Sequence, residues 1–354
     1  RFTEIEGNIS YVAQIREMLA RQYGYRTWSV TQLEAYAYCP MQFFLDRVLR
    51  VEDEPEFEEN LNNMERGNLI HEILFRFFSE LKKSGKTRRP ADSGDLLFEV
   101  AEVVFNEMPF SGFFWDLERA VYFGTENSPG LLQTFLNYDQ EQIIQTGFTP
   151  DLFEFAFGYT FGSVRDQSSS TRTVVLKSSK GQIKINGKID RIDKDQSGNA
   201  LIFDYKTGVQ ASSVQAGEIL EGLRFQLPLY MLAYNELEND SKAVYAGYYL
   251  VKDADNCKRK DVLADKSGAD FLGNNARAAL PNKNIVDNEG AMLTLQELLN
   301  YSLDAAIQKT EELKQGVFRH TRYPDDIVCQ QYCAFRRMCQ KNVGKLRKNH
   351  AATD

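Results

Sequence analysis

Asp190, Asp204 and Lys206 lie in two strand-like runs, Gln182 to Asp193 and Ala200 to Lys206, joined through Asp195-Gln196-Ser197-Gly198-Asn199. A linker of that composition between alternating runs predicts a β-hairpin. Asp190 and Asp204 are each seven residues from Ser197, so antiparallel pairing sets them opposite one another. Alternation puts Ile202, Asp204 and Lys206 on one face of the second strand and Leu201, Phe203 and Tyr205 on the other. Both faces are partly apolar, so the strand is expected to be buried. Facing carboxylates in a buried ladder repel, and a divalent cation is the simplest compensation. Mg²⁺ takes one or two carboxylates together with waters and phosphate oxygens. Lys206, one pleat beyond Asp204, would then hold a phosphate oxygen or help orient and deprotonate an attacking water. The alternative is an exposed hairpin with ordinary solvated charges, as expected for Asp193, Lys194 and Asp195.

His71 is the second candidate, on the margin of an apolar stripe with Gly67 one turn earlier. His71-Glu72 lacks the second histidine of a zinc-protease motif, and a satisfied core-edge histidine is the competing reading. Gln226 and Tyr230 share one side of a helix if Pro228 falls in its first turn; the alternative is a packing face. Gly85-Lys86-Thr87 is not a phosphate loop, because the required upstream glycine is Glu80. Three of the five cysteines cluster as Cys329-x3-Cys333-x5-Cys339, with Cys39 and Cys257 apart. An odd, clustered count without a signal pattern fits a reducing compartment and a metal site better than disulfides. With Cys39 as the fourth ligand, the thiolates suit zinc or a [4Fe–4S] cluster.

Several elements must position these groups. Ser29 with Gln32 reads as a helix start, followed by a stop near Cys39-Pro40 and a second helix from Pro40. Asn62 to Leu81 is a strong amphipathic helix. Six acidic residues between Glu52 and Glu59 form a solvated connector. About 85 to 150 reads as a helical, aromatic-rich insertion, followed by strands from Leu152 to Phe161 and Thr171 to Lys177. Beyond the hairpin come a helix (Leu223 to Glu238), a strand (Val244 to Val251), a polar stretch with little pattern (253 to 293) and a helix (Thr294 to Lys314). The 354 residues carry a formal charge of −8, which excludes blanket coating of nucleic acid but not a local basic groove. No apolar run is long enough to span a membrane.

These pieces together resemble the PD-(D/E)XK nuclease superfamily, specifically RecB/AddB-like nuclease domains with an iron–sulfur staple. The matching segments run in order: Ser29 to Cys39-Pro40, Arg66-Gly67-Asn68-Leu69-Ile70-His71, Gly187-Lys188-Ile189-Asp190-Arg191-Ile192-Asp193, Asp204-Tyr205-Lys206-Thr207-Gly208, Arg224 to Tyr230, and the cysteine tail. The resemblance implies an α/β, restriction-endonuclease-like core, a central mixed sheet flanked by helices, spanning residues 29–340. A leader (1–28) joined to an upstream region and a basic tail (341–354) would flank it. It implies His71, Asp190, Asp204 and the Tyr205 backbone carbonyl as ligands for Mg²⁺ or Mn²⁺. Lys206 is implied as the catalytic lysine, with Gln226 and Tyr230 supporting it. Cys39, Cys329, Cys333 and Cys339 are implied to hold a [4Fe–4S] cluster. One departure is the three-residue gap between Cys329 and Cys333, where the family usually has two.

The expected function is a Mg²⁺-dependent DNA nuclease of cytoplasmic location, acting on single strands or duplex ends. It would be the C-terminal part of an AddB-type subunit whose helicase partner feeds DNA to the site in double-strand-break repair. Residues 316–354 hold eight Lys/Arg against three Asp, a strand-guiding surface or a solvated end. The alternatives are a stand-alone RecB-like or CRISPR-associated exonuclease and an inactive DNA-binding scaffold.

Overall fold

The computed structural model describes residues 7–51, 61–159, 166–208, 217–265, 293–323, 329–330 and 333–339. The acidic connector and the 341–354 tail lie outside them. Helix α1 covers Ala13–Tyr23, and the segment before it is tied to a distant part of the chain by Ile9 N–H donating to Gly316 O (3.0 Å). Strand β1 (Thr27–Ser29) leads into α2 (Val30–Tyr38), whose first turn is capped by Ser29 Oγ accepting from Gln32 N–H (3.3 Å). Cys39 ends α2, and its Sγ accepts from Gln42 N–H (3.4 Å) to start α3 (Pro40–Phe43). Pro40 fits there because the first helical residue needs no donor.

Asn62 and Glu65 form a reciprocal capping box at the head of α4 (Asn63–Lys83). Its apolar stripe from Leu69 to Leu81 is buried against α5 (Gly94–Glu107), α6 (Phe113–Phe123) and α7 (Leu131–Thr146). A small ribbon of β2 (Gly124–Thr125) and β3 (Ser128–Pro129) separates the last two. The remaining strands, β4 (Thr149–Phe157), β5 (Val174–Ser178), β6 (Gly181–Lys194), β7 (Asn199–Lys206), β8 (Lys242–Val251) and β9 (Cys257–Ala264), join β1 in one seven-stranded mixed sheet. Long β6 is its hub, pairing in turn with β5, β1, β4 and β7. Short α8 (Gly217–Leu220) and α9 (Gln226–Leu237) carry the chain from β7 to its parallel neighbour β8. Edge strand β9 was hidden in the sequence by Lys258, Arg259, Lys260 and Asp261, which interrupt its apolar alternation. Helix α10 (Leu295–Lys314) packs with α2 and α9 on the sheet face opposite α4.

β7 alternates as expected: Ala200 and Ile202 join the α9 layer, and Leu201, Phe203 and Tyr205 the α4 layer. β4 breaks the rule. Phe153 packs in the α4 layer and Phe155 in the α9 layer, although they are two apart, because Glu154 between them has φ of 53°. A non-glycine residue there is strained, so neighbouring packing must hold it. Paired with them, Ile189 and Arg191 of β6 also lie on opposite sides, Arg191 over the Phe78 ring at 4.6 Å. Both strands therefore switch faces at the level of Glu154 and Asp190.

Behind the α4 layer, Arg191 bonds Asp193 (2.6 Å) and Asp139 of α7 (2.9 Å), and Arg259 of β9 reaches the same two carboxylates at 3.3 and 3.6 Å. Arg191, Asp139 and Asp193 are fully buried.

Candidate active site

The β6–β7 ladder stops at Arg191 opposite Phe203, one step short of Asp190 and Asp204. In place of a ladder bond, Asp190 Oδ2 accepts from Tyr205 N–H (2.9 Å). This opens a seam between the layers, reached by α4 from one side and α9 from the other.

His71 arrives from α4. Its Nδ1 lies 3.4 Å from Asp190 Oδ1 and 3.3 Å from Glu154 Oε1, and its Nε2 lies 3.3 Å from the Tyr205 carbonyl oxygen. Burial opposes charge on the imidazole, but Asp190 and Glu154 outweigh it and hold its pKa well above the ordinary value. With Nδ1 committed to carboxylates, Nε2 and the Tyr205 oxygen face each other as acceptors unless a proton or a cation stands between them. That donor set (imidazole, carbonyl and carboxylate) fits a divalent cation. Among the described residues, His71, Glu154 and Asp190 place one ligand atom each within 4.8 Å of one another. Glu154 also contacts Lys188 Nζ.

Asp204 is oriented differently from the expectation of two carboxylates facing one ion. Its Oδ2 pairs with Lys206 Nζ (2.6 Å), and its Oδ1 accepts from Gln226 Nε2. Gln226 Oε1 in turn accepts from Lys206 Nζ (3.0 Å), closing a three-residue ring. Burial raises the Asp204 carboxyl to about 7; Lys206 pulls it down and Asp190 pushes it up. Asp190 is depressed despite its burial, by His71, the Tyr205 N–H and Lys206. Lys206 is raised because Asp204, Asp190 and Glu34 outweigh the cost of burial. Tyr230 lies edge-on to Phe157 (6.1 Å between centroids), and a side chain at Gly187 would meet its ring at 2.6 Å. Gly187 is thus what lets Tyr230 lie against β6.

The seam therefore gathers His71, Asp190, Asp204, Tyr205, Lys206 and Gln226, with Tyr230 against the strand beside them. Glu154 was missed. Its signal was a lone carboxylate inside the apolar run Leu152-Phe153-Glu154-Phe155-Ala156-Phe157. At the other end of α2, Cys39, Cys329, Cys333 and Cys339 line one small pocket with Leu45, His320 and Phe335. Burial, aided by the neighbouring Cys339 and Cys329, raises the Cys39 thiol to about 11. Cys257 lies elsewhere, in the α4 layer.

A mixed sheet split at an acidic seam, with a lysine one pleat beyond the second aspartate, is the framework of a nuclease. The chain belongs to the PD-(D/E)XK nuclease superfamily, whose profile matches residues 27–340. It is also similar to several bacterial proteins, each named as the B-type subunit of an ATP-dependent helicase/deoxyribonuclease. The Clostridioides difficile protein is 25% identical over 240 residues, covering 66% of this chain and 20% of the relative. The Staphylococcus saprophyticus protein is 29% identical over 210 residues (57% and 17%) and that of Clostridium perfringens 26% over 282 residues (77% and 23%). The chain spans about a fifth of the length of these relatives. Among the described residues, no helix is long and apolar enough to cross a membrane.

Proposed function

We propose that this chain is a metal-dependent deoxyribonuclease, the nuclease part of a B-type subunit that works with a helicase partner in the cytoplasm on DNA ends. The observation that carries this reading is the convergence at one seam of His71, Asp190, Asp204 and Lys206 from three elements. A divalent cation, Mg²⁺ or Mn²⁺, held by His71, Asp190, Asp204 and the Tyr205 carbonyl would supply Lewis acidity toward the scissile phosphate and an acidified water. Lys206 keeps its proton and donates to a phosphate oxygen as negative charge builds there. Gln226 holds the ammonium and Asp204 at fixed separation, and Tyr230 closes the apolar side. Glu154 orients His71 by accepting a hydrogen bond from its Nδ1–H.

The four-cysteine pocket supports the second part of the proposal, a [4Fe–4S] cluster joining α2 to the C-terminal segment. Four convergent thiols, with that of Cys39 raised by its burial, need a cation to become ligands, and soft thiolates select iron–sulfur or zinc. Cys329 and Cys333 both line the pocket, which supports their acting together despite the three-residue spacing.

The test is incubation of the protein with end-labelled single- and double-stranded DNA, in Mg²⁺ and in EDTA. Shortening of the single strand from its ends, abolished by EDTA, is expected. No metal-dependent cleavage of either substrate would leave a DNA-binding scaffold. In the same assay Lys206→Ala is expected to lower turnover by roughly 10²–10³-fold, the loss typical of one transition-state donor. DNA affinity and melting temperature should stay near wild type. An unfolded variant, or one cutting at the wild-type rate, would make Lys206 a structural charge.

A further inference from the structure

Helix α9 begins without a cap of its own: Phe225 at its head has no side-chain acceptor, and Pro228 in its first turn has no N–H. The exposed donors are instead taken up by another helix. Glu34 Oε1, on α2, accepts from both Phe225 N–H (2.7 Å) and Gln226 N–H (2.8 Å). A carboxylate at a helix N-terminus satisfies these donors and the positive end of the helix dipole together. The peptide it grips is that of Gln226, whose side chain bridges Lys206 Nζ and Asp204 Oδ1. Five residues beyond Glu34, where α2 ends, Cys39 lines the four-cysteine pocket.

We propose that Glu34 is a positioning residue for the reaction: α2 fixes Gln226 through its backbone, and Gln226 fixes Lys206 and Asp204. Helix α2 is then a strut with one end at the cysteine pocket and its middle at the catalytic pair. The assignment rests on the nuclease reading for its effect on turnover, but its geometric content does not.

Two measurements separate the two claims. In the cleavage assay Glu34→Ala lowers kcat by roughly tenfold or more, while KM for DNA and Mn²⁺ affinity stay within about twofold, since the residue touches neither. Glu34→Gln, which keeps an acceptor oxygen, recovers most of the rate. In the Gln226→Ala background the additional change Glu34→Ala costs little, because the link is already broken. Independent of activity, the rate at which an amine-acylating reagent labels Lys206, read by mass spectrometry in EDTA, rises severalfold in Glu34→Ala and in Gln226→Ala, and no further in the double variant. It rises less in Glu34→Gln, which keeps the acceptor oxygen and loses only the charge. Wild-type labelling in Glu34→Ala, or effects that multiply in the double variant, would overturn the positioning role. A wild-type protein that cuts no DNA but shows this labelling pattern would overturn the nuclease reading and leave the strut standing.

Discussion

Asp204→Ala is expected to abolish metal-dependent cleavage, down to the level seen in EDTA, without lowering the melting temperature of the metal-free protein. Asp204 is buried, and its neighbour Asp190 is a second buried carboxylate. Removing Asp204 relieves that repulsion at the cost of an ion pair with Lys206, which keeps Gln226 as a partner. The pH dependence fixes the sign. The folded carboxyl titrates at about 7, above its value of about 4 in an unfolded chain. The folded state therefore binds this proton more tightly, and its stabilising effect is lost as pH rises from about 4 through about 7. Asp204→Asn, with no proton to lose, should melt above EDTA-treated wild type at pH 8, the gap closing toward pH 4. Thermal scans across that range check it; a variant melting well below wild type at pH 8 would make Asp204 a structural residue.

Cys339→Ser is expected to give the largest loss of stability. If the four thiols hold a cluster, Cys339 helps tie α2 to a segment almost the full chain length away. Releasing so long a loop costs about 4 kcal/mol by analogy with a disulfide, before metal–thiolate bonding is counted. The variant should lose brownish absorbance near about 400 nm, as expected of thiolate-ligated iron, and melt much earlier than wild type prepared without air. Unchanged colour and melting temperature would remove the staple and leave the seam chemistry untouched.

Much of this was legible because it is written in periodicity. The α4 stripe, the Ser29 helix start, the hairpin and the two-sided burial of β7 follow from alternation, capping and helical spacing over short windows. Less visible were features that depend on a local exception. Glu154 sits at positive φ, and the resulting switch of faces carries its carboxylate to His71; an ideal strand would have faced it away from Phe153 and Phe155 together. Asp204 turns toward Lys206 and Gln226, and the Gln226 contact comes from a helix that the hairpin pattern does not contain. Glu34 is invisible to any local reading, since the helix it caps begins almost two hundred residues later.

The buried quartet of Arg191, Asp193, Asp139 and Arg259 bears on how the molecule comes apart. Its four charges cancel, but they belong to α7, β6 and β9. Undocking α7 alone would take Asp139 away and strand two buried guanidinium groups beside one carboxylate, a penalty of roughly 3–5 kcal/mol. Helix α7 is thus bound to the sheet by electroneutrality as well as by apolar contact. Its partial opening is suppressed, and the helix and the sheet should lose structure in one cooperative step.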